Sequence, residues 1–177
     1  AQAEVLKVAV GAEPYPPMYY PDASGQWHGF EVDLAGLLCN DTSIEYSESG
    51  EKVIGDPTEA ALIVAAGKGG LRLDDQARSL PRIDTLPFES EHQYMATMHD
   101  QGGSNPRLVF FKGSVEAVLE RAVMELQSDG TLQPVDPESI RAEVERLAMD
   151  GMRVLAMACK ELPAQTSTLI HQDVSSE

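Results

Sequence analysis

Lys112-Gly113-Ser114 stands directly after the apolar run Leu108-Val109-Phe110-Phe111. A lysine at the end of a strand, followed by a residue with no side chain, can approach a ligand closely and pair its ammonium with a phosphate. Phe88 follows Pro87 and precedes an alternating segment. Its ring offers a face on which a nucleobase can stack, a contact worth about 1–3 kcal/mol per base. Glu59 lies three residues after Asp56 in Asp56-Pro57-Thr58-Glu59, the spacing of a capping box at a helix start. Each residue also has a plainer reading: a surface lysine, a core phenylalanine and a helix cap.

Bulk properties narrow the chemistry. The formal net charge of −16 argues against DNA or RNA as a partner, because affinity for nucleic acid rests on neutralising phosphates. It leaves room for a small anionic ligand held by one or two local cations, and the acidic surface otherwise serves solubility. No apolar run approaches the length of a membrane span, and no secretion signal is visible at the N-terminus. Cys39 and Cys159 lie far apart and outside any Cys-x-x-Cys spacing, which favours reduced, partly buried thiols over a disulfide.

The elements that must position these residues read as follows. Val5–Val10 forms a strand, prolines at 14, 16, 17 and 21 forbid helix, and Phe30–Cys39 opens a helix. Lys52-Val53-Ile54 is a short strand. Asp56 then caps a helix carried by Ala60–Ala66 and ended by Gly67, Gly69 and Gly70. A shorter helix over Asp74–Leu80 stops at Pro81. Gln93–His99 and Arg107–Phe111 pair as strands around the loop 101–105, and Ser114 caps a helix over Glu116–Val123. After a polar loop at 128–135, Asp136-Pro137-Glu138-Ser139 starts the clearest helix, with Ile140, Val144, Leu147 and Ala148 on one face and Gly151 at its end. Met152–Cys159 is an apolar strand, and the tail from Pro163 onward is polar and partly frayed. Hairpins mixed with helices predict an α+β (mixed α/β) fold, a largely antiparallel sheet flanked by helices.

Gly55-Asp56-Pro57-Thr58-Glu59-Ala60-Ala61-Leu62, Pro87-Phe88-Glu89-Ser90-Glu91-His92-Gln93-Tyr94-Met95 and Lys112-Gly113-Ser114, taken in this order and spacing, resemble the nucleotide-binding (N) domain of a cation-transporting P-type ATPase. The resemblance covers residues 37–162. It implies a domain that binds ATP without a P-loop, as Mg-ATP in the full-length pump, and presents the γ-phosphate to a phosphorylation domain. Phe88 would form the adenine platform and Glu59 would reach the adenine amino group. Lys112 and Gly113 match the family's Lys-Gly-Ala-Pro-Glu, although Ser114-Val115 replaces Ala-Pro here. Gln93 takes a position where many members carry a lysine near the nucleotide, which implies a more neutral site. Arg153 matches an arginine at the phosphate end, its plain reading being an exposed strand arginine. The family's phosphorylated Asp-Lys-Thr-Gly-Thr and its Thr-Gly-Glu-Ser loop are absent from these residues, so the chain is expected to bind ATP weakly and to hydrolyse nothing alone. The implied partners are ATP and the phosphorylation and actuator domains of a parent pump, with no nucleic acid and no direct membrane contact. The implied location is a cytoplasmic domain of a membrane-embedded transporter, whose ion the sequence does not specify.

Residues 5–36 look like the start of a periplasmic amino-acid-binding protein, through Ala12–Pro17 and Gly29–Ala35. The alternative function is therefore a solute (amino-acid) binding module with a cleft near Tyr15, Trp27 and Phe30. Half a lobe cannot enclose a ligand, so this segment reads better as a leading hairpin packed on the domain. The expected organisation is an N-terminal segment 1–36, a nucleotide-binding domain 37–162 and a tail 163–177. Gly67-Lys68-Gly69-Gly70 lacks the spacing of a Walker loop. His92 and His99 fall on opposite faces of one strand, and His28 and His171 stand alone, so no metal site is expected.

Overall fold

The computed structural model describes residues 7–10, 20–21, 27–28, 30–47, 50–68, 70–126 and 131–175. Among them, seven strands form one sheet in the order β10-β9-β1-β11-β8-β7-β6. These are β1 (Lys7–Val10), β6 (Arg82–Glu89), β7 (Tyr94–Asp100), β8 (Arg107–Gly113), β9 (Met124–Leu126), β10 (Leu132–Pro134) and β11 (Ala156–Leu162). All neighbours pair antiparallel except β1 and β9, which run parallel. Two small hairpins, β2 (Tyr20–Pro21) with β3 (Trp27–His28) and β4 (Ser43–Ser47) with β5 (Gly50–Ile54), stand outside it. The helices are α1 (Phe30–Leu38), α2 (Pro57–Lys68), α3 (Leu73–Ser79), α4 (Val115–Leu119) and α5 (Pro137–Met149). The fold is thus mixed α and β, with a largely antiparallel sheet flanked by helices.

Side chains of the central strands alternate between two cores. Tyr94, Ala96, Met98, Val109, Phe111, Ala156 and Ala158 face α4, α5 and the tail. Met95, Phe110 and Met157 face α1, α2 and α3, packing on Leu34, Leu37, Leu38, Ile63 and Ala66. With both faces covered, β7 is buried along nearly all its length, and its sequence alternation marks two buried faces rather than one buried and one wet.

Helix starts follow the expected chemistry. Asp56 Oδ1 accepts from the backbone N–H groups of Thr58 (2.8 Å) and Glu59 (3.3 Å). Asp136 does the same for Glu138 and Ser139, and Ser114 for Ala117. Each such cap is worth about 1 kcal/mol. Gly151 ends α5 with φ 77°, a left-handed position suited to glycine.

Several elements depart from the sequence reading. β6 was not expected, because Pro81 and Pro87 bracket a charged segment; as an edge strand it tolerates Pro87. The loop expected at 128–135 contains β10, another edge strand, ending in Pro134. α4 stops at Leu119, four residues early, so that the chain can turn into β9 beside β1. The last strand is shifted: residues 152–155 lie outside the sheet, and β11 continues through Lys160 and Glu161, whose charges hide it. The tail is not frayed over its described residues, 163–175. Leu169 and Val174 are buried, the Leu169 N–H donates to Asp84 Oδ2 at 2.8 Å, and a 3₁₀ helix runs over His171–Val174. Two apolar anchors suffice to hold a segment that is polar on average. Of the proposed solute cleft, Tyr15 and the side chains of Trp27 and Phe30 lie outside the described residues.

Two packing details have measurable consequences. At Gly113 an added Cβ would sit 2.6 Å from the Gln93 carbonyl oxygen and 2.7 Å from Tyr94 Cβ, whereas at Gly67 it would meet nothing within 4 Å. Gly113→Ala is expected to lower stability by about 2 kcal/mol or more in urea titration, while Gly67→Ala is neutral or slightly stabilising. His99, 1 % exposed, is bracketed by Leu80 O at Nδ1 (2.9 Å) and Thr97 Oγ1 at Nε2 (2.9 Å), an arrangement that suits neutral imidazole. Burial first, with Arg82 nearby, pushes its pKa down to about 4. The unfolded chain then binds the proton more readily, so this contribution is complete above about pH 6.5 and is lost as pH falls through 4. Between pH 7 and pH 4.5 the wild type should lose roughly 2–3 kcal/mol more than His99→Gln in parallel urea titrations.

Candidate functional site

β7, β8 and β11 come into register at one end of the sheet, where Tyr94 pairs with Gly113 and Gly113 with Ala156. The residues just beyond that edge are therefore brought together by strand pairing. Gln93 precedes β7, Arg153 lies in the segment before β11, and Phe88 comes from β6. Across them stands the N-terminus of α2 with Glu59. A cleft of about 570 Å³ opens here, and Glu59, Phe88, Gln93, Lys112, Gly113 and Arg153 all line it. That volume falls within the range of small-molecule sites, roughly 300–1,000 Å³.

Lys112 is neither on the surface nor loosely placed. It is 6 % exposed, on the sheet face that carries Met95 and Met157, and its Nζ donates to Glu59 Oε1 at 2.7 Å. The other carboxylate oxygen of Glu59 accepts from the Asp41 N–H and the Thr42 hydroxyl, both at 3.2 Å. The carboxylate thus turns toward the loop after α1 and toward Lys112, and the capping of α2 falls to Asp56. Asn40 completes the network, donating to Gly36 O and Glu59 O while its Oδ1 accepts from the Thr42 N–H. Asn40-Asp41-Thr42 carried no role in the sequence reading. Its only signal was composition, since Asn, Asp and Thr after a helix favour side-chain bonds to nearby backbone.

Phe88 is not a core residue: it is 59 % exposed at the cleft. Gln93 has φ 58°, in the left-handed region. Its carbonyl accepts from the Ser114 N–H at 2.9 Å, and its side-chain oxygen from the Ser114 hydroxyl at 3.2 Å, so the start of α4 holds it there. Glycine at 113 is what lets Gln93 and Tyr94 come this close. Arg153 is exposed and sits outside any strand, which removes its reading as a strand arginine. The Asp56 carboxyl is held below its usual range, chiefly by the Thr58 N–H and hydroxyl, with a further contribution from Arg153.

Elsewhere, Cys39 and Cys159 are thiols, and burial pushes Cys39 up to about 11, so it is unreactive at neutral pH. The expectation that His171 stands alone does not hold. Because the tail packs back on the sheet, His171 meets Glu89 and His92, and one ligand atom from each lies within 4.8 Å of the others. The β6–β7 turn places His92 away from β7, so its position relative to His99 on the strand is irrelevant.

Comparison with known proteins identifies the family. Residues 32–177 match the family model described as P-type ATPase, cytoplasmic domain N. The cation-transporting ATPase pma1 of Synechocystis sp. is 41 % identical over 146 residues, 82 % of this chain and 16 % of the relative. The sodium/potassium exporting P-type ATPase cta3 of Schizosaccharomyces pombe is 38 % identical over 125 residues, 70 % of this chain and 12 % of the relative. Calcium-transporting ATPase 1 of Lactococcus lactis is 34 % identical over 142 residues, 78 % of this chain and 16 % of the relative. The chain therefore spans less than a fifth of the length of these relatives. No helix among the described residues is long and apolar enough to cross a membrane. The match over most of its length shows that the chain belongs to the family of P-type ATPase cytoplasmic N domains.

Proposed function

We propose that this domain holds ATP in the cleft between α2 and the ends of β7, β8 and β11, and that it serves a cation-transporting pump by delivering the γ-phosphate to a phosphorylation domain. The observation that carries the reading is the pairing, on one cleft, of a solvent-open aromatic ring with a buried ammonium. An exposed phenylalanine costs free energy unless a ligand covers it, and a purine does so by stacking. Lys112 offers three N–H donors, of which Glu59 takes one, and the others suit the phosphate chain. Glu59 fixes Lys112 and, with 19 % of its side chain exposed, accepts from the adenine amino group. Arg153, on the rim, meets the phosphate end, and Gln93 hydrogen-bonds without adding charge.

The charges of the cleft support weak binding. Asp41, Asp56 and Glu59 face Lys112 and Arg153, three carboxylates against two cations, so the lining carries a net charge of −1. Magnesium bound to the nucleotide would offset this repulsion. Weak binding suits a carrier that must release its nucleotide after transfer, by domain movement toward the phosphorylation and actuator domains of a parent pump, on the cytoplasmic side of the membrane. The sequence contains no Asp-Lys-Thr-Gly-Thr, the family's phosphorylated segment, so these residues are expected to bind ATP and not to hydrolyse it.

Chemical-shift titration of the full chain with Mg-ATP should move resonances of Glu59, Phe88, Lys112 and Gly113, and glutamate or arginine should not. Phe88→Ala, at an exposed position, should leave the fold intact and weaken ATP about tenfold, the loss of one stacking contact. Lys112→Met should remove most of the affinity and also cost about 3 kcal/mol of stability, because it strands Glu59. Unchanged ATP affinity in both folded variants would defeat the assignment.

A further inference from the structure

On the far side of the same β6–β7 turn, Glu89, His92 and His171 converge at the surface. Glu89 and His92 are neighbours on the turn itself, where the His92 and Gln93 N–H groups both donate to the Glu89 carbonyl, at 3.1 and 2.7 Å. His171 arrives from the other end of the chain on the 3₁₀ helix anchored by Leu169 and Val174. We propose that these three side chains form a binding site for a divalent transition-metal ion of the zinc class.

The donor set argues for that class. Two imidazoles and one carboxylate make an open, three-ligand zinc site, whereas magnesium and calcium require oxygen donors throughout. Ligand atoms about 2 Å from a zinc ion lie roughly 3–4 Å apart. His92 Nε2 and Glu89 Oε2 are already 3.4 Å apart, and all three ligand atoms fall within 4.8 Å of one another. The imidazole rings of His92 and His171 have centroids 4.3 Å apart, so small side-chain rotations bring the set to coordination distance.

An outer partner is also in place. The Tyr94 hydroxyl lies 2.6 Å from His171 Nδ1. With Nδ1 carrying the proton and donating to the phenol oxygen, Nε2 presents its lone pair, the arrangement that metal-ligating histidines use. Tyr94 is 1 % exposed and its ring packs against Phe111 at 4.4 Å, which fixes the position of its hydroxyl. Arg121, 4.8 Å from the centre of the Tyr94 ring, is bonded to Ala117 O and Glu120. The net charge of −16 favours a cation at the surface. A bound ion would clip the tail to a turn about eighty positions earlier in the chain, and binding only to the folded state raises stability by mass action.

Zinc and magnesium are titrated into the full chain by calorimetry, with thermal melting alongside, and cobalt is added to read its visible absorption. Expected are saturable one-to-one zinc binding, a tetrahedral-type cobalt spectrum, a raised melting temperature, and no response to magnesium. His92→Asn and His171→Asn should each weaken zinc by about tenfold or more, Tyr94→Phe by about tenfold, and His28→Asn not at all. His92 lies on a surface turn, so its replacement tests the site even if the His171 variant folds poorly. Absence of saturable zinc binding, or affinity unchanged in His92→Asn, would overturn the proposal.

Discussion

The ion pair between Lys112 and Glu59 joins the end of a central strand to the first turn of a helix that precedes it by 53 residues. Most of what surrounds the cleft depends on it. Removing two charges from water is costly, and a buried pair of this kind adds little net stability beyond what apolar packing would supply. Breaking it is another matter, since a stranded buried charge costs about 3–5 kcal/mol. The pair therefore sets position more than strength. It aims the ammonium along the cleft and draws the loop 40–42 against α2 through the second carboxylate oxygen. It also makes the placement of α2 and of β8 a single constraint.

The proposed reading asks an acidic chain to offer a site for a polyanion. The long-range field opposes nucleotide, and so do Asp41 and Asp56 at the cleft. The local answer is one shielded cation and one on the rim. Lys112 at 6 % exposure sits in a medium of low effective permittivity, where a single charge counts for more than several at the surface. Arg153 is exposed and screened, so on the proposed reading its contribution would fall with salt while that of Lys112 would persist. On the proposed reading, the affinity for ATP would be modest and would rest on the ring of Phe88 and one held ammonium.

Much of the fold was legible because local chemistry and tertiary context agreed. The caps at Asp56, Ser114 and Asp136 and the apolar strand before Lys112 appear where their residues say they should. The edge strands β6 and β10 were missed because edges admit proline and charge, which read as loops. The tail was misread because polarity averages over residues, whereas docking needs only Leu169 and Val174 in the right places. At the cleft, residue types were legible but relations were not. That Glu59 binds Lys112 rather than closing a capping box depends on the register of β7, β8 and β11 and on the packing of α2 against them, and no local pattern encodes it. The meeting of His171 with His92 is likewise a product of chain return.

The β6–β7 turn carries residues of both surfaces described here. Phe88 and Gln93 line the cleft, while Glu89 and His92, between them in sequence, face the tail. Its backbone is held by two bonds to the Glu89 carbonyl on one side and by the Ser114 contacts to Gln93 on the other, with Gln93 kept at φ 58°. A residue in that region is retained only where its surroundings over-determine it. The turn is consequently stiff, and it cannot move Glu89 and His92 without disturbing Phe88 and Gln93. On the proposed reading, a contact that fixes Glu89 and His92 would also narrow the range of positions open to the Phe88 ring and so lower the ordering cost of stacking a base upon it. The coupling is limited by the freedom Phe88 keeps on an edge strand. Its size is therefore set by how tightly β6 is held against β7, where the register shifts between Leu86 and Glu89.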